Sequence, residues 1–125
     1  MNIPLCGEHR LVQKSRVAVA RGSLARQAAN YYPLDEFPGF CYFALLPDSS
    51  VKIGYSNTET LMSKRFKALG RQHGGPVVKL AVVPGGFVAE AVMHDRFAES
   101  RIPGDGERFR YTTDIASFIA DSQAL

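Results

Sequence analysis

From residue 40 onward, short apolar runs alternate with helical periodicities. Phe40–Leu46 (FCYFALL) is an apolar run rich in aromatics, and Pro47-Asp48-Ser49-Ser50 follows with turn chemistry, which predicts a strand and a turn. Val51–Tyr55 (VKIGY) returns as a second strand, so the two predict a hairpin. Ser56-Asn57-Thr58-Glu59 has the capping-box spacing of Ser and Glu. The helix after it carries Leu61, Met62, Phe66 and Leu69 on one apolar face and is ended by Gly70 and then Gly74-Gly75-Pro76. Val77–Val83 (VVKLAVV) predicts a third, buried strand, and Pro84-Gly85-Gly86 turns the chain into a helix over Phe87–Ser100. Ile102–Gly106 is a loop, Phe109-Arg110-Tyr111 reads as a short edge strand, and Thr113 is expected to cap a last helix with Ile115, Phe118 and Ile119 inward. The fold class is α+β: a small antiparallel three-stranded sheet flanked by helices.

Upstream the pattern weakens. Tyr32–Gly39 (YPLDEFPG) interrupts regular structure and marks a boundary. Before it, LVQKSRVAVARGSLARQAANYY is broadly helical with a break at Gly22-Ser23, and Ser23 is placed to cap a short helix carrying Leu24, Ala25, Ala28 and Tyr31. This stretch has too few large apolar residues for its own core. Residues 1–35 are therefore read as a basic helical arm and 36–125 as the main domain.

Composition narrows the class. A chain of 125 residues with 46% hydrophobic and 22% charged residues is an ordinary globular domain, not a disordered one. No apolar run approaches the roughly 20 residues of a membrane span, so no membrane association is expected. The opening MNIPLCGEHR lacks a basic leader followed by an apolar core, and Cys6 and Cys41 make neither a disulfide scaffold nor a structural zinc site. A cytoplasmic location is expected. The net charge of +3 is unevenly spread. Arg10, Lys14, Arg16, Arg21 and Arg26 face Glu8 alone within residues 1–30, and Lys52, Lys64, Arg65, Lys67 and Arg71 face Glu59 alone within residues 52–71. Two basic zones on a small chain fit a polyanionic partner, most simply nucleic acid.

Three positions sit poorly with simple packing. Arg65 shares a row with Leu61 and Leu69 on one helix face, where it either snorkels or aims a cation into a cleft. Glu90 lies between Phe87 and Met93 on the inward side of its helix, where a carboxylate must be paired, protonated or bound to a metal. His94 follows one turn later, and the two could contact one ligand or simply pair. Lys52 faces away from Val51 and Ile53, beside Gly54, whose missing side chain permits close approach by a ligand or another backbone. No carboxylate partner for Lys52 is evident along the sequence. Cys41 reads as inert core, and Gly85-Gly86 as a plain turn rather than an anion site. Walker A, GxGxxG, GxSxG and HExxH motifs are absent.

Taken in order, these pieces resemble the GIY-YIG nuclease superfamily, in particular a phage-type branch whose second motif reads KIG. Phe40-Cys41-Tyr42 occupies the place of the GIY triplet and Lys52-Ile53-Gly54 that of YIG; Arg65, then Glu90 in EAVMH, then Gly106-Glu107-Arg108-Phe109 follow. The resemblance covers about residues 39–111 and leaves out 1–35. It implies hydrolysis of DNA phosphodiesters with one divalent metal, Mg²⁺ or Mn²⁺. In those terms Tyr42 contacts the nucleophilic water, Arg65 binds the phosphate and Glu90 is the metal ligand. Tyr42, near metal and cation, is expected to fall from its reference pKa of about 10 toward accepting a proton. Lys52 stands where the family has tyrosine and is expected to meet a phosphate. Lys64, Lys67, Arg71, His94 and Arg101 are candidates for further substrate contact. The asparagine many members place late in the site has no counterpart, the only asparagines being Asn2, Asn30 and Asn57. The leading expectation is thus a metal-dependent DNA endonuclease, acting in the host cytoplasm if phage-encoded, with room for a homodimer. The rivals are a nucleic-acid-binding or protein-interaction module that has lost cleavage, and a purely structural protein.

Overall fold

The apolar run and its return form an antiparallel hairpin, β1 (Phe40–Leu45) and β2 (Ser50–Ser56). Ser49 takes a positive φ of 72° in the turn, and Asp48 Oδ1 accepts from the Ser50 amide at 2.9 Å and its hydroxyl at 2.6 Å. The structure is a computed structural model that describes residues 22–104 and 106–123. Two further strands, β3 (Val78–Pro84) and β4 (Arg108–Arg110), complete the sheet in the order β3-β1-β2-β4, every neighbour antiparallel. The sheet therefore has four strands, not the three expected. β4 is the short edge strand read at Phe109-Arg110-Tyr111, begun one residue earlier; it holds only Arg-Phe-Arg and is placed by the full burial of Phe109, opposite Val51.

Both sheet faces are covered, which is why β1 reads as an unbroken apolar run. Cys41 and Phe43 of β1, with Val51 and Ile53 of β2, meet α3 (Gly86–Arg96) and α4 (Thr113–Gln123) through Ala89, Met93, Ile115 and Ile119. On the opposite face, Tyr42 and Ala44 pack with Met62, Phe66 and Leu69 of α2 (Glu59–His73). The alternation expected of Lys52 against Val51 and Ile53 is observed, and Ile115, Phe118 and Ile119 turn inward as expected. Burial leaves the Cys41 thiol with a raised pKa, the charge of Glu90 adding to the effect, so it stays protonated core.

Two caps differ from expectation. The side chain of Thr58, not Ser56, accepts from the Leu61 amide at 3.1 Å at the start of α2. Thr112 rather than Thr113 plays that part for α4, its hydroxyl meeting the Ile115 amide at 3.4 Å. Gly74, in the left-handed conformation, closes α2 on the Gly70 carbonyl, so Gly70 lies within the helix. The pair Gly85-Gly86 is a packing device. A Cβ on Gly86 would come 2.2 Å from the Pro38 carbonyl oxygen, and one on Gly85 would meet Ala89 Cβ at 2.8 Å. The start of α3 is thereby pressed against the segment leading into β1. The expected helix over Phe87–Ser100 is split, with a short 3₁₀ turn over Ala98–Ser100.

Residues 22–29 are helical (α1), and Ser23 lies within the helix rather than ahead of it. Ala25 is buried, Leu24 and Tyr31 are exposed, and Arg26 approaches Asp95 of α3 at 3.9 Å. The rest of the expected arm, including Arg10, Lys14, Arg16 and Arg21, lies outside the described residues. Among the described residues, no helix is long and apolar enough to cross a membrane.

Candidate functional site

On β2, β4 pairs with Ser50–Lys52, so β2 runs on past its neighbour. A cleft of about 370 Å³ opens along that uncovered stretch and is lined by Gly54, Tyr55, Ser56 and Asn57. β1 supplies Tyr42, α2 supplies Leu61 and Arg65, α3 supplies Glu90, and the residue before β4 supplies Glu107. Tyr42, Arg65 and Glu90, singled out from three separate segments, thus share one cavity. The i, i+4 spacing of Leu61 and Arg65 brings both to the same wall.

Gly54 is the reason Tyr42 can lie where it does. The two are directly opposite across the hairpin, and a Cβ on Gly54 would sit 2.5 Å from the Tyr42 hydroxyl oxygen and 2.6 Å from Cζ. The phenol fills the space that the sequence had left open to a ligand or backbone. Phe66 meets the ring edge-on at a centroid distance of 5.1 Å, and Tyr42 is 1% exposed, so the ring has little freedom to swing aside. Gly54→Ala is expected to cost about 1–3 kcal/mol through overpacking. It should also carry the Tyr42 hydroxyl out of register with Arg65, visible as a lower denaturant midpoint together with displaced Tyr42 ring resonances.

Burial pushes the Tyr42 phenol above its ordinary value of 10.0; a hydrogen bond from Arg65 and its charge pull the other way, while Glu107 and Glu90 add to the rise. Burial thus outweighs the pull of Arg65, so the expected lowering would have to come from a bound metal. Tyr42 is a protonated phenol at neutral pH.

Glu90 is positioned through His94, one turn further along α3. His94 Nε2–H donates to the Ile53 carbonyl at 2.8 Å, and its ring lies 5.1 Å from that of Phe109. This pins α3 to β2 beside Gly54. His94 does not line the cleft with Glu90; its Nε2 is engaged by the β2 backbone. Arg101 is likewise engaged elsewhere, its guanidinium 5.5 Å from the Phe109 ring centre and donating to the His94 carbonyl at 3.4 Å. Burial lowers the His94 pKa, with Arg101 and Lys52 adding to the drop and the Ile53 bond and Glu107 opposing it. A histidine with a lower pKa folded than unfolded contributes stability that is complete above about 6.5 and lost as pH falls through the folded value. Thermal midpoints should therefore drop from about pH 7 to about pH 5. His94→Gln, which keeps a donor but does not titrate, should flatten that part of the profile.

Lys52 has a carboxylate partner after all. Its ammonium forms a salt bridge with Glu107 Oε2, with side-chain exposures of 11% for Lys52 and 44% for Glu107. The Glu107 carbonyl accepts from the Ile53 amide at 3.0 Å. Ile53 thus ties the Glu107 backbone through its N–H and the His94 ring through its C=O. Lys64, Lys67 and Arg71 are exposed on α2 and do not line the cleft; their i, i+3 and i, i+4 spacing places them along one stripe beside Arg65.

Sequence reasoning gave no site role to Tyr55, Ser56, Asn57 or Glu107, all of which line the cleft. Asn57 enters from the β2–α2 corner, a position at which no asparagine was sought. Glu107 was part of the quoted motif but without a role, since its tie to Lys52 spans 55 residues. Among the described residues, no group of three His, Cys, Asp or Glu side chains is placed to hold a metal. Glu90 and Glu107 nevertheless offer hard oxygen donors in one cleft. That donor set suits an ion such as Mg²⁺, which keeps several waters and binds one or two carboxylates together with substrate phosphate.

No family model, curated protein or solved structure matches the chain in comparisons with known proteins.

Proposed function

We propose that this protein is a metal-dependent DNA endonuclease of GIY-YIG type. The observation that carries the proposal is the convergence of Tyr42, Arg65 and Glu90 on one cleft. Phosphodiester hydrolysis needs a grip on the phosphate, a polar group beside the attacking water, and a way to balance developing charge. Arg65 presents a planar fork of donors matched to phosphate oxygens, at the exposed wall of the cleft where a strand can enter. Tyr42, fixed over Gly54 and sharing the cleft with Arg65, orients a water by its hydroxyl. Glu90 and Glu107 would hold the divalent ion, which when bound supplies neutralisation of charge on the phosphate oxygens. The stripe Lys64, Lys67 and Arg71 lies beside Arg65 on the exposed side of α2, where the flanking backbone of a nucleic acid gains from neutralisation.

The test is incubation of the purified full chain with supercoiled plasmid in Mg²⁺ or Mn²⁺, against an EDTA control. Metal-dependent conversion to nicked or linear DNA is expected. Intact plasmid at high enzyme concentration, with either metal, overturns the proposal.

A further inference from the structure

The salt bridge between Lys52 and Glu107 changes what Lys52 is for. Its ammonium lies on a β2 residue that does not line the cleft, and it is spent on a carboxylate that does. Glu107 is half-exposed and sits on the approach to a strand of only three residues. Its backbone is tied to Ile53, but nothing about that tie fixes where the carboxylate points. A side chain of this kind samples several rotamers unless something holds its end. Lys52, nearly buried and emerging from the rigid centre of the sheet opposite Ala44, is such a clamp.

We propose that Lys52 is a positioning residue that holds Glu107 at the cleft wall as a second carboxylate for the divalent ion, beside Glu90, rather than a contact to substrate phosphate. This rests on the nuclease reading above. Outer partners of metal ligands commonly set affinity by 10–100-fold because they orient the ligand and fix its charge distribution. The opposite influence is also physical: a neighbouring ammonium repels the ion and competes for the same carboxylate oxygens. The sign of the effect of removing Lys52 therefore decides between clamp and competitor.

The experiment measures Mn²⁺ affinity of the full chain by calorimetry for wild type, Lys52→Met, Lys52→Arg, Glu107→Gln and the Lys52→Met/Glu107→Gln pair. Glu107→Gln and Lys52→Met are each expected to weaken Mn²⁺ binding by roughly 10–100-fold. The double variant should be no weaker than Glu107→Gln alone, because Lys52 acts through Glu107. Lys52→Arg, which keeps a cationic donor, should recover most of the loss. In EDTA, the slope of log DNA affinity against log salt should be the same for Lys52→Met and wild type.

Unchanged or tighter Mn²⁺ binding by Lys52→Met overturns the inference, as does a fall of about 0.9 in the salt slope, the mark of one lost phosphate contact. A lower melting point in both single variants with Mn²⁺ affinity intact would make the pair a structural staple only, and overturns it too. Should Lys52→Met fail to fold, unchanged Mn²⁺ affinity in Glu107→Gln is sufficient to reject it. A wild-type chain that binds no Mn²⁺ defeats the nuclease reading itself. Wild-type binding matched by Lys52→Met defeats only the role of Lys52.

Discussion

Glu90→Gln is expected to take plasmid cleavage below detection and to weaken Mn²⁺ binding by at least about 100-fold, while the chain stays folded. The substitution is nearly isosteric and removes only the charge. The carboxylate is 9% exposed, faces the cleft and sits one turn before the His94 anchor, so the amide will occupy the same place. A buried carboxylate carries a large desolvation cost that a neutral amide does not, so no collapse of the helix is expected. The checks are calorimetric Mn²⁺ titration, a plasmid nicking assay and a thermal melt on the same preparation. Undiminished wild-type cleavage in EDTA, or a Gln variant that still binds Mn²⁺ like wild type, removes Glu90 from the role.

Arg65→Ala is expected to lower turnover by about 10²–10³, the size of losing one electrostatic stabiliser of the reacting group. Arg65 is exposed, so the melting point should barely move, within about 0.5 kcal/mol of wild-type stability. A second signature belongs to this site alone. Arg65 supplies the hydrogen bond and the charge that pull the Tyr42 phenol down against its burial. Without Arg65, Tyr42 should titrate still further above 10.0, followed by the ¹³C shift of its Cζ. Lys at position 65 restores charge but not the fork, and should recover turnover only in part. Normal cleavage with a lower melting point would leave Arg65 a structural residue.

Much of this molecule was written in local pattern. The β1–β2 hairpin, the amphipathic α2 and the inward face of α4 each follow from side-chain periods of two or 3.6, which operate over a few neighbours. The inward position of Glu90 and the shared row of Leu61 and Arg65 follow from the same helical geometry. What local pattern does not carry is which separate segments meet. The fourth strand is three residues placed by one buried phenylalanine, whose partner is Val51 on a distant stretch. The caps moved from Ser56 to Thr58 and from Thr113 to Thr112 because cap geometry depends on the local backbone path, to which spacing is a loose guide. Gly54 was legible as a place of close approach, but that the approaching group is the Tyr42 ring depends on hairpin register. Lys52 looked like an unpartnered cation because its carboxylate is 55 residues away. His94, drawn from the sequence as a companion of Glu90 at one ligand, is bound to the Ile53 carbonyl because the sheet passes beside its ring. Sequence settles which residues are able to do chemistry and on which face of their own element they stand; only the packing of β2 against α3 and the approach to β4 decides which of them face one another, because those contacts are fixed by burial shared across the whole chain.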